Sequence, residues 1–217
     1  MKYERPLKPA ELQMLEDAVS TRRPSRKRML KVVAVWIVLV IAGGLIAFFY
    51  IEQKLIKLIL AAIVVYIGIG IWVMAEEYSR YLRLKRSINF VREKNSVTAI
   101  RVESGNFYLL SETEDEGDYY LYQLPGNRML VFGGQDFYSS DSFPNNRFEI
   151  VEARGVRGEI VLLDLFTEGE KTEAARIISG PEKEKLLASP HFPDPHKMLV
   201  TEGDIEELVN RILGGQQ

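Results

Sequence analysis

The sequence predicts a membrane protein of the α+β class: a two-helix transmembrane hairpin, then a small antiparallel β-barrel or sandwich domain with C-terminal helices. Three observations predict it. Two uncharged apolar runs, Val32 to Ile51 and Leu58 to Ala75, lie close together. Lysine and arginine crowd the outer flanks of that pair. After Ser96 the apolar period changes from helical to strand-like, with Gly, Asn and Pro at the breaks.

At about 1.5 Å rise per helical residue, each run can cross a hydrocarbon core of about 30 Å. The first run is too long for the apolar core of a signal peptide, and it reads as an anchor. Neither run holds an acidic or basic residue, which argues against an ion pathway or proton relay. Gly43, Gly44 and Ala47 on the first, and Ala61, Ala62, Gly68 and Gly70 on the second, form small-residue patches that let helix backbones approach. The hairpin is expected to pack on itself through them, with a leftover face that allows a homo-oligomer. Phe48, Phe49, Tyr50 and Trp72 fit interface anchors.

Orientation follows from basic-residue bias. Arg22, Arg23, Arg26, Lys27, Arg28 and Lys31 precede the first run, and Arg80, Arg83, Lys85 and Arg86 follow the second. The connecting loop, Glu52 to Lys57, holds only Lys54 and Lys57. The positive-inside rule then puts both termini in the cytoplasm of a multi-pass protein of the plasma membrane, or of the inner membrane in a bacterium. Arg22, Arg23, Arg26, Lys27, Arg28, Lys31, Trp72, Arg80, Arg83 and Arg86 are the expected membrane-interface residues, and anionic lipid heads suit the basic ones.

Four regions result. Residues 1–31 are a cytoplasmic tail, with a short helix signalled by Pro9 and by Leu12, Leu15 and Val19 at helical spacing. Residues 32–75 are the hairpin. Residues 76–94 continue the second helix as a stalk, with Tyr81, Leu84, Ile88 and Val91 on one stripe and arginines beside it. Residues 95–217 are a cytoplasmic β-rich domain.

Candidate strands in that domain are Val97–Val102, Phe107–Ser111, Tyr119–Leu124, Met129–Phe132, Arg147–Glu152, Glu159–Leu165 and Ala174–Ile178. Pro125, Gly126 and Asn127 make the clearest hairpin turn. Residues 133–146 form a long polar loop. Pro181–Ala188 is a short helix. Thr201, Glu202, Gly203 and Asp204 resemble a capping box ahead of the stripe Ile205, Leu208, Val209 and Leu213. Short strands at about ten-residue spacing followed by a helix resemble the pleckstrin-homology order, with a Src-homology-type barrel as the alternative. Either resemblance implies fold alone.

Chemistry is sparse. The net charge of −2 gives no nucleic-acid bias, and the absence of cysteine excludes disulfides, thiolate metal sites and cysteine catalysis. The acidic run Glu112, Glu114, Asp115, Glu116 and Asp118 lacks the spacing of a calcium loop and reads as a solvated hairpin tip. His191, Asp194 and His196 are separated by Pro193 and Pro195 and read as a surface loop. No nucleophile elbow, phosphate loop or dinucleotide fingerprint occurs. No catalytic residue, metal or cofactor is therefore expected.

The loop residues Gln135, Asp136, Phe137, Tyr138 and Phe143 combine polar side chains with aromatics beside glycines, a composition suited to protein recognition. The expected function is non-enzymatic: a membrane-anchored docking or scaffolding module that holds a protein partner at the bilayer. The alternatives are a membrane-tethered hydrolase or metal-dependent enzyme using loop carboxylates, and a structural subunit of a larger membrane complex.

Overall fold

The structure is a computed structural model, and it describes residues 2–50 and 53–214. The side chains of Arg26, Arg28, Met29 and residues 46–61 are outside that description. The expected anchors Phe48, Phe49 and Tyr50, the small residues Ala47 and Ala61, and the side chains expected in the Glu52 to Lys57 loop therefore lie outside the described residues. So do the interface side chains of Arg26 and Arg28.

In chain order the elements are β1 (Lys2–Arg5), α1 (Pro9–Thr21), α2 (Arg26–Tyr50), α3 (Gln53–Lys94), β2 (Val97–Glu103), β3 (Phe107–Leu110), β4 (Tyr119–Leu124), β5 (Arg128–Gly133), β6 (Arg147–Arg154), β7 (Ile160–Thr167), β8 (Arg176–Ile178), α4 (Gly180–Leu187), β9 (Leu199–Glu202) and α5 (Ile205–Leu213). They divide between two units. The first comprises Met1–Leu7, Asn95–Ala153 and Leu162–Gln217; the second comprises Lys8–Lys94 and Arg154–Val161.

The first unit is α+β, with two sheets and no closed barrel. One sheet has the order β1-β2-β6-β7 and the other β8-β3-β4-β5-β9. The barrel expected from the strand spacing is thus corrected to two open sheets. The second sheet is open because its edge strands, β8 and β9, each pair with one neighbour, β3 in parallel and β5 antiparallel, and not with each other.

Side-chain alternation explains the layers. On β4 and β5, Tyr120, Tyr122, Leu130 and Phe132 join a core shared with Ile100 and Val102 of β2 and Phe148 and Ile150 of β6. The intervening Tyr119, Leu121, Met129 and Val131 point the other way, into a second core with Leu186 of α4 and Ile205, Leu208 and Val209 of α5. Period-two alternation with both faces covered makes β4 read as a continuous apolar run. Aromatic pairs dominate the first core: Phe107 stacks on Tyr122 at 4.7 Å, and Phe148 meets Tyr122 edge-on at 4.9 Å. Gly126 and Asn127 take φ of +76° and +54°, as the predicted turn between β4 and β5 requires.

Two strands were not expected. The tail begins with β1, which pairs antiparallel with β2 in the register Arg5↔Val97. Thr201 and Glu202 of the segment resembling a capping box belong to β9, and Asp204 caps α5 by accepting from the N–H groups of Glu206 and Glu207.

In the second unit α2 and α3 run antiparallel. The Trp36 ring stacks on Tyr66 with centroids 3.8 Å apart and lies against Gly70. Among the described residues a Cβ at Gly43, Gly44 or Gly68 would meet nothing within 4 Å, whereas Gly70 is covered by the Trp36 ring. α3 begins at Gln53, inside the expected loop, and runs through the expected stalk. Among the described residues one helical stretch, Ala62–Lys94, is long and apolar enough to cross a membrane, and Leu30–Leu45 is a shorter apolar stretch. α1 lies along the stalk: Glu16 pairs with Arg92 at 3.5 Å, and Val19, Tyr81 and Ile88 line one groove. Asn95, at φ +47°, ends α3.

Candidate functional site

A constrained polar cluster in the first unit forms where α4 meets the loop between β3 and β4. Gly180 and Pro181 start α4, and Lys183 follows on its inward face with 2% of its side chain exposed. An ammonium so deep needs acceptors around it. Its Nζ donates to the Ser111 carbonyl oxygen at 2.8 Å and to the Glu116 carboxylate, and it lies 5.0 Å from the centre of the Tyr119 ring.

Glu116 is equally committed. Its carboxylate also accepts the backbone N–H groups of Thr113 at 3.1 Å and Glu114 at 2.6 Å. The Lys183 ammonium and these amide donors hold the Glu116 carboxyl down to about 2. Asp118 caps the same loop by accepting the Glu112 N–H at 2.9 Å. The acidic run is the tip between β3 and β4, with Glu114 and Asp115 exposed, and Glu116 and Asp118 pin it from within. The sequence offered no sign of its partner, because Lys183 lies 67 residues away.

The expected recognition loop adjoins this cluster. Gln135 donates to the Asp115 carbonyl oxygen at 2.6 Å, and the Gly134 N–H donates to the Asp118 carbonyl oxygen at 2.9 Å. The residues 135–137 form a single 3-10 turn. The named residues then separate. Phe137 and Phe143 are buried in the first core, against Phe132 and Tyr120. Gln135 and Asp136 are exposed, and Tyr138 is 45% exposed. Partial desolvation, followed by the carboxylates of Glu112, Asp115 and Asp118, raises the Tyr138 phenol. Only Gln135, Asp136 and Tyr138 of the five can meet a partner directly.

His196 stands beside the same surface. Its ring meets Tyr119 edge-on at 5.6 Å, with Nε2 3.5 Å from the phenol oxygen, and it borders Gly134. His191 is exposed elsewhere on the connection. Among the described residues no three His, Asp or Glu side chains are grouped to hold a metal ion. The cluster has its ammonium and its carboxylate already bonded to each other. Its chemistry is that of a clamp which stiffens an acidic, aromatic surface.

The expected interface residues lie in the second unit. Arg22, Arg23, Lys27, Lys31 and Arg86 are exposed, Trp72 is 70% exposed, and Arg80 and Arg83 both reach Glu76, at 2.9 and 3.0 Å. Comparison with protein-family models, with curated proteins and with solved structures finds no match to this chain. The functional reading therefore rests on the geometry.

Proposed function

We propose that this protein is a membrane-anchored docking module, with α2 and α3 as a transmembrane hairpin and the two-sheet unit in the cytoplasm. The observation that carries the reading is the register Arg5↔Val97. Two residues on one ladder rung lie on one side of any membrane. The segment between them then crosses an even number of times, or not at all. Ala62–Lys94 has the length and composition to cross, so an even count favours a second crossing by α2. Both helices also present large apolar side chains outward, among them Val35, Val38, Ile41, Val64, Ile69 and Ile71. Apolar surface of that extent fits lipid.

The partner proposed is a basic segment of another protein, met by Tyr138, Gln135 and Asp136 beside the acidic loop. Tethering to a surface raises the local concentration of such a module without new contacts. The chain has no cysteine, so single reporters are clean. An impermeant thiol reagent applied to intact cells should label Gln53→Cys and spare Ser140→Cys. The reverse pattern overturns the orientation, and recovery of the protein in the soluble fraction overturns the anchor. Tyr138→Ala should lower recovery of co-purified partner without changing membrane insertion; unchanged recovery overturns the docking surface.

A further inference from the structure

The second unit holds a cavity of about 500 Å³ whose charge is unbalanced. Arg22 from the end of α1, Arg83 and Arg86 from α3, and Arg157 from the tip of the β6–β7 hairpin line it, against a single carboxylate, Glu159. That carboxylate is turned to other donors. It accepts the hydroxyl of Ser87, which is buried, and the Arg157 backbone N–H at 2.8 Å. Arg83 shares Glu76 with Arg80. Among the described residues Arg22, Arg86 and Arg157 have no ion-pair partner.

Guanidinium groups contributed to one cavity by three separate segments give a concave surface with many donors for an anion. The hairpin tip is held to α3 by the Ser87–Glu159 bond, which keeps Arg157 and Arg86 on the same cavity. Beside it the tip exposes Val156 and Ile160, at 61% and 47%, two apolar side chains with no polar role. A free anion in water has no use for them. A lipid does, because its headgroup phosphate is joined through glycerol to acyl chains. Position agrees. Arg83 follows Ala75 by eight residues, about 12 Å along a helix, and helical side chains lean toward the N-terminus, here toward the span.

We propose that Arg22, Arg83, Arg86 and Arg157 bind the phosphate of an anionic lipid headgroup, with Val156 and Ile160 seated at the acyl boundary. The assignment rests on the membrane reading above, and its test separates the two. The full chain is taken in detergent micelles doped with phosphatidylglycerol or with phosphatidylcholine, and retained lipid is read by native mass spectrometry. The wild type should retain phosphatidylglycerol preferentially. Arg86→Gln and Arg157→Gln should each cut that preference roughly fivefold. Arg22→Gln, at the end of α1, gives an independent reading should either variant lose its fold. Arg80→Gln, outside the cavity, should leave the preference intact.

Equal retention of the two lipids by the wild type overturns the site. So does a preference that survives all three cavity variants. Excess inorganic phosphate identifies the source: if it displaces the lipid fully, and Val156→Ser with Ile160→Ser has no effect, the cavity takes free phosphate and the lipid assignment fails. Resistance of the same chain to carbonate extraction reports the anchor separately.

Discussion

Lys183 and Glu116 hold each other across 67 residues of chain, one side chain almost wholly buried and the other 29% exposed. The inequality of their burial makes the two halves of the pair unequal in consequence. Glu116→Gln leaves a buried ammonium with no counter-charge, only the neutral Gln amide oxygen, the Ser111 carbonyl oxygen and a ring face. Lys183→Met leaves a carboxylate that still holds two backbone N–H groups and can reach water. Urea unfolding should show a loss of about 3 kcal/mol for Glu116→Gln and about 1 kcal/mol for Lys183→Met. Equal losses would show that burial does not set the balance.

Acid should release the same loop. Glu116 ionises well below the ordinary value of 4.5, at about 2, because Lys183 and backbone amides favour its charged form. A depressed carboxylate stabilises the fold fully above its unfolded value. That contribution declines as pH falls from about 4.5 through about 2. Thermal melting of the wild type should fall across that window more steeply than that of Glu116→Gln, which has no carboxylate to titrate.

Phe137 and Tyr138 are neighbours with opposite roles. Phe137→Ala removes a ring set edge-on to Phe132 at 5.1 Å and should cost about 3 to 5 kcal/mol of stability. Tyr138→Ala should change stability by no more than about 0.5 kcal/mol. Melting curves of the two variants check this. A large loss from Tyr138→Ala would remove that residue from any docking surface.

Arg5 forks onto Glu149, with Nε 3.1 Å from one oxygen and Nη2 2.7 Å from the other. Tyr3 donates to the same carboxylate, which is buried. Arg5→Ala should destabilise the first unit by about 3 kcal/mol, and Arg5→Lys by less, because the charge stays and the fork is lost. Hydrogen exchange along β2 measures this, and unchanged protection in Arg5→Ala would mean that β1 contributes nothing to the sheet.

What the sequence revealed follows from how local each signal is. The change of period after Ser96 and the turn at Gly126 and Asn127 are read over a few residues, and β2 to β8 appear near their expected places. β1 was not legible. Lys2, Tyr3, Glu4 and Arg5 are mostly polar, and only pairing with the distant segment Val97 to Ile100 makes them a strand. β9 was hidden because Thr201 and Glu202 also fit a helix start. Burial of Phe137 and Phe143 was unreadable for the opposite reason: glycine, serine and aspartate around them give the composition of a surface loop, while the rings fill a core assembled from distant strands. The Lys183–Glu116 clamp joins two ordinary-looking charges and has no local signature at all.

The β1–β2 ladder also sets an order in time. β1 precedes α1, α2 and α3 in the chain, and Arg5 meets Val97 only after all three helices have been made. At about 5 to 20 residues per second, the first strand waits roughly 5 to 20 seconds for its partner. On the proposed topology, both apolar helices emerge from the ribosome during that wait. Insertion into the bilayer then precedes completion of the sheet, and β1, made well before its partner strand, is among the last elements to find its place.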